Sequence, residues 1–465
     1  MKSVIESVSG VPVSRSGRPP ARILLVTHGY PPFQTGGAEL QAQRKARWWS
    51  ERGDHVRVLT ADTRPEQAPP FGSVVRSEDR DGGVSICRLR FRAPDGTQAF
   101  ADTFRHPLLA SEIESELESF QPDLVYQVSG YLFGVSPLQL AAARRIPTVL
   151  FAMDFWHVCP RITLLRPDGS ICAGPRNAAD CAACRFVDRP RIQSYPAVAR
   201  AAWQIASIAG RAPVVSERLT VPVFTEREQA VRTILAAASL IVVNSRFLAR
   251  QLSALGVPSD RMLVARQGLD TDAIPAIPRN HEAGESIRAL YLGQIAKHKG
   301  VDLAVRAVSD LATRGYRITL RVHGQPTGDA AYRAALGRLA ESQAVKIGPP
   351  LDREALMQAL RASDVLIVPS RWYENSPNVI LEAFSAGVPV VVASHGGMAE
   401  MVCDGVDGLH FVPGDYRSLT EVLQRLCDEP GTIDRLRAGI SRPDPVDVEM
   451  NAEEAALVRL LQWVV

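Results

Sequence analysis

Lysine is nearly absent from this chain. Of 53 basic residues only Lys2, Lys45, Lys297, Lys299 and Lys346 are Lys. Two of the five share one hexapeptide, AKHKGV, and that segment stands out for it. Charge of either sign is also scarce in excess. A formal net charge of +3 over 465 residues, with no basic stripe, argues against nucleic acid as a partner. No run of about eighteen apolar residues occurs, so no membrane-spanning helix is expected. The first twenty residues, MKSVIESVSGVPVSRSGRPP, lack the apolar core of a secretory signal and read as a mobile tail. A cytoplasmic location follows as the expectation. The seven Cys then read as thiols or metal ligands rather than disulfides.

What remains is an ordinary globular composition, 46% hydrophobic and 22% charged. The length exceeds what one core can use and suggests roughly two to four domains. ARILLVTHG is a continuous apolar run suited to a strand covered on both faces. A Gly-rich loop, YPPFQTGG, follows it, then a helix AELQAQRKARWWSERG and a second strand, DHVRVLTAD. This is a βαβ unit. The alternation continues through a helix around 107–120, PDLVYQVS, a helix near 136–145 and IPTVLFAM. It lapses over about 155–225, in an insert rich in Cys, Pro and Arg, and resumes with EREQAVRTILAAASLIVVNS.

TDAIPAIPRNHEAGES, residues 271–286, has the composition of a linker. A second alternating block then starts at SIRALYLGQ and runs through YRITLRVHG, DVLIVPS and VPVVVAS to a helix near 415–428. The fold expected is α/β, two doubly wound Rossmann-like domains over 21–275 and 286–440 facing across a cleft, with ligands at the carboxyl ends of the strands. The amphipathic segment at 447–465 needs a surface to cover its apolar face.

The stretch SRWYENSPNVILEAFSAGVPVVVASHGG, residues 370–397, sets a carboxylate, Glu382, into an apolar helix predicted over 377–386. Ser376 suits the N-cap, Pro377 the first turn and Gly387 the C-terminal stop. The helix start offers unpaired N–H groups and a positive dipole end, a seat for phosphate. A buried carboxylate is tolerated where it accepts hydrogen bonds, and a vicinal diol supplies two. Glu374, just outside the cap, could grip neutral hydroxyls. The residues equally admit a plainer reading, in which Glu382 pairs with a buried Arg and Glu374 is a solvated loop acid.

The two acids, spaced E-x7-E between PS and EAxxxGxPVV, resemble the donor-binding signature of the retaining glycosyltransferase family 4. That family has the two-domain GT-B fold, and the resemblance covers the chain from about Arg22. It implies a hexosyl transfer from a nucleoside-diphosphate sugar to a glycan or polyprenyl-linked acceptor hydroxyl, with retention of configuration. Such a step serves cell-surface polysaccharide or glycoconjugate synthesis, and domain closure would exclude water from it. By the resemblance Glu374 contacts the donor sugar and Glu382 holds the ribose diol. Lys299, before Gly300, stabilises the departing diphosphate. Gln294, Asn375, Ser376 and Asn378 join the donor site, and so do Gly36 and Gly37 of the first glycine loop. Many relatives carry Arg where this chain has Gln294, and Arg371 or Lys297 are the candidate substitutes. The C-terminal helix is expected to cross back onto the first domain.

In FAMDFWHVCP many relatives have His where Met153 stands. Asp154 is the catalytic candidate there, His157 its alternative, and a turn role for Asp154 is an equal reading. Asp270-x-Asp272 mimics a metal-binding pair of another fold, and no catalytic metal is expected. Cys159, Cys172, Cys181 and Cys184 follow C-x12-C-x8-C-x2-C, which suggests a structural zinc staple over free thiols, a redox pair or an iron–sulfur cluster. A similar Cys-rich insert after DFW-x-x-CP occurs in a subset of the relatives. AVARAAWQIASIAGRAP reads first as an internal packing helix. A membrane-surface role at the inner face of the cell membrane would suit a lipid-linked acceptor. The alternatives to transfer are a nucleotide-sugar epimerase or hydrolase of the same fold, or a zinc-stapled sugar-nucleotide-binding protein that has lost activity.

Overall fold

The computed structural model describes residues 20–92, 100–174, 177–188, 192, 195–269, 285–327, 330–429 and 431–462. The expected N-terminal tail, nearly all of the linker, and Asp270 and Asp272 lie outside them. The chain divides into two compact units, changing over between Arg266 and Gln267 and returning to the first unit after Val446.

The first unit is built on eight strands: β1 (Arg22–Thr27), β2 (His55–Asp62), β3 (Val75–Asp81), β4 (Val84–Arg90), β5 (Leu124–Val128), β6 (Thr148–Ala152), β7 (Leu240–Val243) and β8 (Met262–Val264). They lie in the order β3-β4-β2-β1-β5-β6-β7-β8, every pairing parallel except β3 with β4. β5 and β6 are buried at every position, as continuous apolar runs between two helical layers require. β3, VRSEDRD, carries alternating charge on an exposed edge, where charge discourages further strand pairing. For that reason hydrophobic patterning gave no sign of it.

The insert is more regular than its composition suggested. It holds helices Ala178–Val187, Pro196–Ala209 and Pro213–Arg218, and the first two pack on each other.

The helix Val446–Gln462 belongs to the first unit, and buried charge fixes it there. Lys45, on the helix Gly37–Glu51, is fully buried and its Nζ sits 3.4 Å from Glu449 and in close contact with Glu453. The Tyr126 hydroxyl donates to Glu453, and Trp48 Nε1 donates to Glu454 at 2.9 Å. Lys45 Nζ also lies 4.5 Å from the centre of the Phe151 ring. Burial disfavours the ammonium, but the two carboxylates outweigh it and hold the Lys45 pKa above its usual value.

The second unit has six parallel strands: β9 (Ile287–Leu292), β10 (Ile318–His323), β11 (Val345–Gly348), β12 (Val365–Val368), β13 (Val390–Ala393) and β14 (Gly408–Phe411). Their order is β11-β10-β9-β12-β13-β14. One core of Val, Leu, Ile and Ala from these strands and the helices Val301–Thr313 and Tyr416–Asp428 fills the unit.

Removing one partner of a buried ion pair strands the other. Lys45→Met should therefore cost about 3–5 kcal/mol of stability, read as a lower urea midpoint, while Lys45→Arg should recover part of it. Equal midpoints for Lys45→Met and the parent would show that the C-terminal helix is held without this network.

Candidate active site

In the second sheet β9 lies between β10 and β12, so the chain reverses its winding direction beside β9. The loops leaving the carboxyl ends of β9 and β12 part at that point and open a crevice. The two loops are 293–300 and 369–377, the two segments that the sequence singled out. Gly300 makes their approach workable: its φ is +68°, and a Cβ there would lie 2.0 Å from the Pro369 carbonyl oxygen.

Lys299 and Glu374 meet across this crevice, with Nζ 2.7 Å from Oε1. Ser370 Oγ donates to the same oxygen at 2.8 Å and Trp372 Nε1 at 2.7 Å. Among the described residues no hydrogen bond reaches Glu374 Oε2. Burial pushes the Glu374 pKa up, but Lys299 and the two neutral donors prevail and hold it below the usual 4.5. The carboxylate is thus ionised, with one oxygen fixed and one available. Gly397 N donates to the Glu374 carbonyl at 2.7 Å, so the loop after β13 braces the acid from behind.

Two histidines border the pair. The His298 ring lies 4.5 Å from that of Trp372, tilted by 57°, and burial together with the Lys299 charge pulls its pKa down to about 4. His395 Nε2 lies 2.9 Å from the Ser370 carbonyl, and burial lowers its pKa as well. Sequence reasoning missed Ser370, Trp372, His298 and His395. Three of them stood in the quoted loops, but convergence on a single oxygen leaves no linear signal.

Glu382 lies in the helix Asn378–Ser385, about one turn in. Ile380, Ala383 and Phe384 are buried around it while Glu382 is half-buried. Desolvation raises its pKa above 4.5, opposed only by the more distant charge of Arg353. Among the described residues no cation comes within ion-pairing range of its carboxylate. The plainer reading, a buried Arg partner, is therefore absent.

Two expectations need correction. The helix begins at Asn378 with Pro377 as its N-cap, and Ser376 makes no cap hydrogen bond; its hydroxyl lies 3.9 Å from Met401 Sδ. Proline fixes φ near the value that the turn needs, so the helix starts one residue later than a Ser cap would set it. Arg371 is no spare cation. It grips Asp302 through both Nη atoms, at 2.5 and 2.7 Å, and its own N–H donates to the His298 carbonyl at 2.8 Å. Lys297 and Gln294 are exposed, and Asn375 is buried.

In the first unit Gly36 caps the helix Gly37–Glu51, and Glu39 of its first turn lies 3.4 Å from His28. At the ends of β5 and β6, Asp154 accepts from Ser129 Oγ and, at 2.9 Å, from the Trp156 N–H. Both of its oxygens thus take part in the turn. His157 is buried, neither ring nitrogen has a partner among the described residues, and burial pulls its pKa down to about 3. It lines a separate cavity of about 210 Å³ with Arg227, between the insert and the helices Val221–Ala237 and Arg246–Ser253.

Cys159, Cys172, Cys181 and Cys184 all line one small cavity of about 30 Å³. Burial raises the thiols of Cys159, Cys181 and Cys184, the last to about 12. The donor set has zinc chemistry, but among the described residues no three His, Cys, Asp or Glu are placed to hold a metal ion.

The central pair gives a signed pH dependence. Glu374's pKa is depressed on folding, so the stability that it draws from Lys299 is present above about 4.5 and fades as pH falls through the lower folded value. Lys299→Met should cost about 1–3 kcal/mol at pH 7, below a fully buried pair's ~3–5, since Lys299 keeps 21% exposure. The gap to the parent should close below pH 4.5, read by urea titration across pH. A gap that stays constant into acid would contradict the pairing.

The profile of glycosyl transferase 4-like domains matches residues 36–268, half of the chain, and that of group 1 glycosyl transferases matches 274–441. A D-inositol 3-phosphate glycosyltransferase from Acidothermus cellulolyticus is 35% identical over 225 residues, 45% of this chain and 49% of the relative. One from Xylanimonas cellulosilytica is 30% identical over 220 residues, covering 44% and 52%. The chain thus spans about half the length of the curated relatives it matches. Among solved structures, sucrose-phosphate synthase from Thermosynechococcus elongatus aligns with TM-score 0.62 at 16% identity, over 96% of this chain and 100% of that one. HepE from Anabaena, crystallised with UDP, aligns with TM-score 0.60 at 16% identity, over 94% and 100%. These likenesses establish the GT-B fold. With half its length on the first profile and its second unit on the other, the chain belongs to the glycosyl transferase 4-like family of glycosyltransferases.

Proposed function

We propose that the chain transfers a hexosyl unit from a nucleoside-diphosphate sugar to a hydroxyl of a glycan or polyprenyl-linked acceptor, with retention of configuration. One observation carries the reading most: Glu382, half-buried beside apolar neighbours, has no cationic partner among the described residues, while the ion pair of Glu374 stands in the loop that leads into its helix. A ribose diol suits the first, a diphosphate the second. As the glycosidic bond breaks, negative charge builds on the diphosphate. Lys299 and the backbone N–H groups of Ser376 and Asn378 answer it, and Glu374 Oε2 holds a sugar hydroxyl. Gln294, Asn375, Ser376 and Asn378 line the donor in this reading. Asp154 keeps the β5 and β6 loops in place. HepE structures with UDP and with UDP-glucose are compatible with a nucleoside-diphosphate sugar as donor.

Glu382 titrates above 4.5, so binding of a nucleoside diphosphate should weaken on acidification before Glu374 protonates. Glu382→Ala should weaken it roughly 10- to 100-fold, the worth of one or two charge-assisted hydrogen bonds, and flatten that pH dependence. Unchanged affinity by calorimetry would remove the ribose role. Product analysis with and without acceptor separates transfer from epimerisation or hydrolysis, and binding without turnover would favour the inactive alternative.

We also propose a structural zinc on the four cysteines. It is supported by their sharing one cavity and by thiols that a dication would deprotonate, though their side chains would have to turn inward to ligate. Elemental analysis of folded protein should give about one zinc per chain; folded protein free of metal would overturn the staple.

A further inference from the structure

The insert carries a surface that the donor site does not use. Among the described residues the four most exposed large hydrophobic side chains are Ile208 (70%), Val214 (69%), Ile205 (68%) and Tyr195 (65%), and all fall within twenty positions of one another. Val198, at 56%, joins them. On the helix Pro196–Ala209, Val198, Ile205 and Ile208 recur at seven and then three residues and so share one face. Ala199, Ala206 and Ser207 are buried on the other face, and Trp203 Nε1 donates to the Asp180 carbonyl at 3.2 Å. The packing helix expected from sequence thus packs by one side only. The short helix Pro213–Arg218, which bears Val214, buries no residue at all. Scattered exposed apolar groups are normal, but a contiguous ridge of this exposure marks a contact surface.

Charge decides what touches it. Residues 185–218 contain six Arg and two acids, a surplus of four positive charges, where the whole chain has +3. Arg200 and Arg211 are both exposed beside the ridge; Arg200 Nε pairs with Asp168 at 2.8 Å and leaves the rest of its guanidinium toward solvent. A twofold contact between copies would set this arginine belt against itself, whereas an anionic lipid surface neutralises it while the ridge enters the acyl boundary.

We infer that the face formed by Tyr195, Val198, Ile205, Ile208 and Val214 docks onto an anionic bilayer surface, with the flanking arginines on lipid headgroup phosphates. The proposal extends the polyprenyl-linked acceptor and rests on that reading for its purpose. The docking itself needs no sugar nucleotide. No helix among the described residues is long and apolar enough to cross a membrane, so the contact is peripheral.

The test is co-sedimentation of the full chain with phosphatidylglycerol vesicles and with phosphatidylcholine vesicles at low and high salt. Binding should be at least about tenfold stronger to the anionic vesicles and should fall with salt. The variant Ile205→Glu/Ile208→Glu should lose about tenfold or more of it. Its circular dichroism and nucleoside-diphosphate affinity should match the parent, since both side chains already face solvent. Three results would overturn the inference: no sedimentation of the parent with anionic vesicles, equal sedimentation of the variant, or a concentration-dependent dimer that the variant abolishes while vesicles stay unbound. Vesicle binding without transfer would instead count against the proposed acceptor and leave the docking intact.

Discussion

The second unit is organised around one ion pair in a crevice of its own sheet. Lys299 and Glu374 sit 75 positions apart on loops leaving β9 and β12, and the strand order brings the loops together. Burial alone would push the Glu374 carboxyl up. Lys299, with Ser370 and Trp372 donating to the same oxygen, outweighs that and holds its pKa below the usual value, beside a helix start that favours anions. The Arg371–Asp302 clamp and Gly300 serve this geometry rather than the ligand: they hold the two loops at the distance the pair requires.

Glu382 is the counterpart, a half-buried carboxylate with no cation in ion-pairing range among the described residues. Its cost falls on a helix anchored by Ile380, Ala383 and Phe384, and that apolar burial offsets the desolvation of one half-exposed acid. The contrast with Lys45 is instructive. Where the molecule needs a charge network for folding, as at Lys45, Glu449 and Glu453, every partner is present. At Glu382 the partner is missing, as expected of a group awaiting a ligand's donors.

The βαβ alternation and both sheets' central strands could be read from continuous apolar runs, because strands buried on two faces leave that trace. β3 could not, being a charged edge, nor could the insert helices Ala178–Val187 and Pro213–Arg218, whose composition suits loops as well, whereas Pro196–Ala209 was expected as a helix. Glu374, Glu382 and Lys299 were legible through a family resemblance that their spacing carried. Their division of labour was not. That Glu374 would be held by three donors on one oxygen, that Arg371 would be spent on Asp302, and that Pro377 rather than Ser376 would cap the helix all depend on distances between separate loops. The most exposed apolar ridge was visible as an amphipathic segment, but which of its faces would be covered depended on where the helix Ala178–Val187 lay.

The central claim is that a nucleotide sugar completes what Glu382 and the Lys299–Glu374 pair leave open. A crystal structure of the chain with its tightest-binding nucleoside diphosphate tests it most directly. The account predicts both ribose hydroxyls about 2.6–3.2 Å from the Glu382 carboxylate and the diphosphate at Lys299 and the N–H groups of Ser376 and Asn378. A ribose turned away from Glu382, with the phosphates clear of Lys299, would contradict it.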